Sequence, residues 1–395
     1  MRGNRAYDRT LYACFAGYIV QAVVNNFLPL LFLTLQRQYS IPLSQITLLI
    51  TVNFGVQLTV DLLAAVFAAR LGARAVTVTA HICAAAGFLL LPLLPELLPP
   101  FAGILIAVVL YAVGGGLLEV MVSPIVESCP TPHKAKAMSL LHSFYCWGQV
   151  GTVLLSTLYF AVFGTAEWKL LCVLWALLPA ANAVNFLRVP IVSPEDTGDS
   201  GMPVRELLHS RAFRLLFLMM ICAGASELTV SQWASFFAEQ GLQISKTAGD
   251  LAGPMLFAVL MGTARLVYGK FGDRLDLDRF MRLSAGLCVC AYLTISLVPH
   301  PAVNLAGCAI CGLSVGIMWP GTFSKASRTL RRGGTLMFSL LALAGDIGCM
   351  GGPTLAGMVA DRSSLKTGIL TAVIFPLLLL AAGFFSKTAE KGANT

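Results

Sequence analysis

An all-α membrane protein is what this sequence predicts: twelve transmembrane helices in two pseudo-symmetric six-helix bundles, with both termini in the cytoplasm. Three observations carry that expectation. The 395 residues are 57% hydrophobic and only 12% charged, where a soluble domain carries about 25% charged residues. Apolar runs long enough to cross a hydrocarbon core of about 30 Å recur from end to end. The flanking charge is lopsided: 22 of the 27 Lys and Arg residues fall in the two ends and alternate segments between runs, Arg265 counted with them, and only Arg37, Lys169, Lys246, Arg362 and Lys366 in the others. The positive-inside rule places the basic loops inside. The net charge of +8 is therefore topological and implies no nucleic-acid partner.

In order, the runs cover about 11–35, 44–69, 75–97, 101–128, 137–163, 167–188, 212–238, 247–270, 281–299, 301–324, 334–360 and 366–386. The first is too long for a signal peptide and has no small-residue cleavage site, so it is expected to remain as a span. It carries Asn25 and Asn26, amides that need partners at that depth. The second has a polar stripe of Asn53, Gln57 and Asp61. The third holds His81, which reads as a satisfied packing residue. The fourth holds Glu119, nine residues back from Ser128, or roughly 13 Å at about 1.5 Å per residue. That is near mid-membrane, where an ionisable group faces a partner or a wet cavity. Gly114, Gly115 and Gly116 around it allow close backbone approach, and Pro124 interrupts the ladder beyond. The fifth run aligns His142, Tyr145 and Gln149 on one face.

A segment rich in proline, glycine and acids, residues 190–210, separates an N-terminal bundle (1–189) from a C-terminal one (211–395). It is expected to end in a short surface helix with Pro203 in its first turn. In the seventh run Glu227 and Ser231 share a face and Trp233 follows. The eighth carries Arg265, which reads as the partner of an acid or as a snorkelling side chain. Eleven cysteines, among them Cys288, Cys290, Cys308 and Cys311, lie mostly within apolar runs and read as small hydrophobes. The halves echo each other: Glu119–Pro124 and Gly148–Gly151 answer Val315–Pro320 and Gly345–Gly348, which brings Trp319 and Asp346 into the second half. Asp61 and Arg70 likewise answer Arg265 and Arg274. A parallel repeat of six helices is the plan of a two-bundle transporter with its site near the midplane.

The loops after the second and eighth runs sharpen this. Gly269-Lys-Phe-Gly-Asp273-Arg274 resembles the inner-loop signature of the major facilitator superfamily (MFS). The first-half copy keeps Arg70, Gly72 and Arg74 but has Ala69 where an aspartate is expected, and the second has Asp276 where glycine is usual. A closer resemblance is to the fucose permease-like (FHS) branch of sugar:proton symporters. Glu119 stands five residues before Pro124 as an acid does there; Gly224-Ala-Ser-Glu227 with Trp233, and His142 to Gly148, look like that branch's seventh and fifth helices. The first helix departs, offering Asn25 and Asn26 where a permease has an aspartate.

That resemblance implies the MFS fold and alternating access. The expected function is a secondary active transporter, a proton-coupled symporter of a small neutral polar solute of the monosaccharide class. The expected solute contacts are Asn25, Asn26, Gln57, Glu119, His142, Tyr145, Gln149, Glu227, Ser231, Trp233 and Trp319. Proton coupling falls to Glu119, Asp61, Glu227 and Asp346, and gating to Arg70, Gly72, Arg74, Gly269, Asp273 and Arg274. Four deep acids with one arginine disfavour an anionic solute, since no arginine pair could grip a phosphate or dicarboxylate. An exporter of drugs or cationic metabolites fits the same acids, with aromatic walls adding cation–π attraction. A non-transporting sensor is the third reading. No nucleophile–base set or metal cluster points to an enzyme; no cofactor or metal is expected, and the chain is expected to be a monomer in a bacterial inner or plasma membrane.

Overall fold

The computed structural model describes residues 2–130, 134–192, 202–271, 276–330 and 332–392, and every regular element among them is helical. Twelve helical spans are long and apolar enough to cross a membrane, as the hydropathy pattern predicts: α1 (Tyr7–Tyr39), α2 (Leu43–Leu63), α3 (Ala73–Leu90), α4 (Pro100–Ser128), α5 (Leu140–Phe163), α6 (Thr165–Arg188), α7 (Arg211–Gly241), α8 (Lys246–Phe271), α9 (Leu277–Leu297), α10 (Pro301–Thr329), α11 (Leu336–Arg362) and α12 (Leu365–Phe385). They fall into two compact units, Met1–Thr197 and Gly198–Thr395.

In the first unit α1 is broken where the sequence requires it. Pro29 has no N–H and its ring crowds the preceding turn, so the α-helix stops at Asn26. A 3₁₀ turn, Leu28–Leu31, carries the chain into Phe32–Tyr39. By contrast, α4 continues through Pro124 to Ser128. Glycines set how closely α4 is approached. A Cβ on Gly114 would lie 2.5 Å from Ala80 O of α3, and one on Gly116 would lie 3.0 Å from Val60 Cβ of α2. Helices in lipid associate through such close van der Waals contact, having no hydrophobic drive between them.

Polar groups buried in this unit are answered locally. His81 is fully buried; its Nδ1 lies 2.7 Å from Thr77 O and its Nε2 2.8 Å from Asn182 Nδ2, which also donates to Ala13 O at 3.0 Å. A carbonyl on one side and an amide donor on the other assign the neutral Nδ1–H tautomer. At the end of α6 the Arg74 guanidinium donates to Phe186 O, Leu187 O and Val189 O at 2.6–2.8 Å, satisfying carbonyls that a helix end leaves open. At the opposite end, Glu96 accepts from Lys169 Nζ and Tyr39 Oη, each at 2.7 Å. These donors hold its carboxyl below the usual range.

The second unit is built around α7. Its core includes Phe213, Leu216 and Met220 of α7, Met281 of α9, and Met337 and Leu341 of α11. A Cβ on Gly348 would strike Ile221 O, and one on Gly224 would strike Gly345 O, so α7 and α11 touch backbone to backbone. The surface helix Val204–His209 is anchored by fully buried Leu207. Pro203 is its extended N-cap and not a first-turn residue, so the helix starts one position later than the sequence suggests. α7 ends in a π-helical turn, Phe237–Gly241, and α8 contains another, Leu251–Met255, around Pro254. Between them Lys246 Nζ lies 3.0 Å from both Glu239 Oε1 and Asp250 Oδ2. Lys325 pairs with Asp278 where α9 and α10 meet at their other ends. Cys308 and Cys311 are buried free thiols, with the Cys311 sulfur 4.0 Å from that of Cys288.

Candidate functional site

One face of α1 organises the polar groups of the first unit. Tyr18, Gln21 and Asn25 recur at helical spacing, so their side chains stack along one stripe. The Tyr18 hydroxyl lies 2.9 Å from Ser123 Oγ of α4. One turn on, Gln21 Nε2 donates to Glu119 Oε2 at 2.6 Å. A turn further, Asn25 Oδ1 accepts from Gln57 Nε2 at 2.8 Å and from Asn53 Nδ2 at 3.3 Å, while Asn25 Nδ2 reaches Tyr145 Oη at 3.4 Å. The result is a ribbon of amides and hydroxyls drawn from α1, α2, α4 and α5, with one carboxylate in its middle. Gln21, Asn25, Asn53 and Gln57 are buried; Glu119 is half-buried.

The glycines before Glu119 make this geometry available. A Cβ on Gly115 would lie 3.2 Å from Gln57 Oε1, and one on Gly116 3.1 Å from Gln57 Cα. Larger residues would push α2 and its amides away from α4. Gly148 does the same for α5, where a Cβ would sit 2.9 Å from Ala22 Cβ and 3.0 Å from Ile19 Cα of α1. Asp61, half-buried on α2, brings a carboxylate oxygen within 4.8 Å of one on Glu119.

The other residues singled out in this unit differ in placement. Asn26 donates to Ala22 O of its own helix at 2.9 Å. His142 is exposed, its ring edge-on to Tyr18 with centroids 5.6 Å apart. Gln149 is buried on α5. Gly72 adopts φ +79°, a conformation that favours glycine, and starts α3. Sequence reasoning passed over Gln21 and Tyr18; their spacing from Asn25 was the available signal.

In the second unit Glu227 is buried and its Oε2 lies 3.1 Å from the Arg265 guanidinium, so its charge is answered within α7 and α8. Beside it the Tyr292 hydroxyl donates to Ser226 O at 2.8 Å. Trp233 is wholly buried, with Nε1 donating to Pro353 O at 3.0 Å. Its ring is packed within the second unit in this structure. Trp319 is half-buried and lies on Gly345, leaving no room there for a Cβ. Ser231 is buried and Asp346 half-buried. Gly269 is exposed on α8, with open space where a Cβ would stand. Asp273 and Arg274 lie outside the described residues, as does the side chain of Arg70.

Comparison with known proteins agrees with this architecture. The membrane protein MosC of Rhizobium meliloti is 22% identical over 293 residues, covering 73% of this chain and 69% of MosC. A bacterial homologue of the human lysosomal transporter Spinster, solved inward-facing and occupied, superposes with a TM-score of 0.75 at 14% identity, covering 98% of this chain and 97% of that one. The fucose:proton symporter FucP of E. coli superposes with a TM-score of 0.63 at 16% identity, covering 95% and 98%. At these identities the superpositions speak for the fold. The sequence profile of the Major Facilitator Superfamily matches residues 13–353, and with twelve spans in place the chain belongs to that superfamily, as a multi-pass secondary transporter of small molecules and not an enzyme.

Proposed function

We propose that this transporter moves a small neutral polar solute of the monosaccharide class in symport with protons. Glu119 is the coupling carboxylate and the ribbon on α1 supplies solute contacts. One observation carries the reading: the Gln21–Glu119 hydrogen bond of 2.6 Å sits within a run of amides and hydroxyls. Amides and hydroxyls offer both donors and acceptors, as a polyol does, so solute hydroxyls can replace the protein's own bonds one for one. A carboxylate among them changes from acceptor to donor when it takes a proton, so solute affinity follows its protonation state. That the fucose:proton symporter shares the fold is in keeping with this reading. Asn25, Gln57, Tyr145 and Glu119 are assigned to the solute, with His142 and Gln149 lining the same face of α5. Glu227, matched to Arg265 at 3.1 Å, is assigned to structure.

A second reading, export of an organic cation, draws on Asp61. Two carboxylates within 4.8 Å repel by about 3 kcal/mol at an effective dielectric constant near 20 when both are charged. A proton or a cationic group between them offsets that. In proteoliposomes, Glu119→Gln is expected to abolish uphill sugar uptake driven by a pH gradient while leaving counterflow exchange intact. Unchanged uphill uptake removes Glu119 from coupling. Flux of labelled cations with none of labelled sugars favours the second reading.

A further inference from the structure

At the end of the first unit that carries the basic excess, a cavity of about 770 Å³ opens between the start of α1 and the end of α6. Arg9, Tyr12, Asn185, Arg188 and Pro190 are among its lining residues. Its walls are fixed: Thr10 Oγ1 donates to Pro190 O at 2.6 Å, and Arg74 clasps the last carbonyls of α6. Arg74 uses its donors on that backbone. Arg9 and Arg188 do not, and among the described residues neither has an ion-pair partner. Asp8, next to Arg9, is exposed and off the lining. Two exposed arginines therefore line one cavity with no ion-pair partner among the described residues, and Arg74 is bonded to Val189 O of the same lining.

We propose that this cavity binds the phosphate of an anionic phospholipid headgroup. Guanidiniums match phosphate oxygens with paired donors, and Asn185 adds an amide. The location selects the source. The cavity lies where one span begins and another ends, positions that a bilayer about 30 Å thick brings to its interface, and Tyr12 is 69% exposed there, as expected of an aromatic ring in the interfacial belt. Basic pockets between spans on the cytoplasmic side suit such headgroups. The rival occupants are free phosphate, and the linker acids Glu195, Asp196 and Asp199, which lie outside the described residues.

The test is native mass spectrometry of the full chain, released from detergent containing phosphatidylglycerol and phosphatidylcholine. The wild type is expected to retain phosphatidylglycerol. Arg9→Gln with Arg188→Gln should lose about thirtyfold in its apparent affinity, and each single variant about fivefold, with phosphatidylcholine unaffected. Arg9→Lys with Arg188→Lys should retain most of the binding. If the double glutamine variant does not fold, the single variants decide, and undiminished phosphatidylglycerol in both overturns the proposal. Displacement of the lipid by an equal concentration of inorganic phosphate makes the cavity a soluble-anion site and overturns the lipid assignment. A gain of phosphatidylglycerol on Glu195→Gln with Asp196→Asn and Asp199→Asn shows that the chain's own acids fill the cavity, which also overturns it.

Discussion

Asn25 Oδ1 accepts from two side chains a turn apart on α2, Gln57 at 2.8 Å and Asn53 at 3.3 Å. One carbonyl oxygen thus satisfies two buried donors. Asn26, its neighbour, bonds among the described residues only to its own helix, at Ala22 O. The two amides look interchangeable in sequence and are not. Asn25→Leu strands the Asn53 amide and takes one of two acceptors from Gln57, which keeps Asn53 O at 3.3 Å; it is expected to cost about 1–3 kcal/mol, whereas Asn26→Leu removes one local bond and is expected to cost about 1 kcal/mol or less. Melting temperatures in detergent read the difference, and an equal or reversed order contradicts the network. The same contrast explains what the sequence hides at this scale. Glu119 is conspicuous as a carboxylate in an apolar helix, but Gln21, which holds it, is an uncharged residue in a run of apolar ones. Only the facing helix shows its use.

Repeated motifs mislead in the same way one level up. Gly148 and Gly151 in α5 answer Gly345 and Gly348 in α11, and the pattern suggests equal roles. A Cβ on Gly151 meets nothing within 4 Å, while one on Gly348 would strike Ile221 O of α7. Gly348→Ala must force two backbones apart, at about 1–3 kcal/mol. Gly151→Ala has room and a negative φ, so it is expected to be neutral or to stabilise by up to about 1 kcal/mol through the unfolded chain. Yield and melting temperature of the two variants check this. Element existence was plain from the sequence, because a run of about twenty apolar residues has few alternatives. Which face of a helix meets which neighbour was not, because lipid-facing and helix-facing surfaces are equally apolar. Trp233 is the instance: its place off the polar face of its helix suits packing and its ring chemistry suits a solute, and only the fold shows that its indole donates to Pro353 O.

For the molecule as a whole, an even number of spans returns the chain to the side from which it started. The basic excess names that side as the cytoplasm. Green fluorescent protein fused at the C-terminus is expected to fluoresce, and alkaline phosphatase fused there to be inactive; the reverse pattern inverts the topology. Family and architecture were legible because hydropathy and the inner-loop motif act over the entire length. The solute was not, because it depends on a handful of neutral hydrogen-bonding groups whose pairings are set by packing. The Glu227–Arg265 contact carries a consequence at this scale. Opposite unit charges 3.1 Å apart present a transmembrane voltage with little more than a short dipole, whereas a lone charge crossing the full field is worth about 2.3 kcal/mol per 100 mV. Membrane potential therefore does little work on this pair while it stays joined, and the field's leverage within the spans falls instead on acids such as Glu119, Asp61 and Asp346.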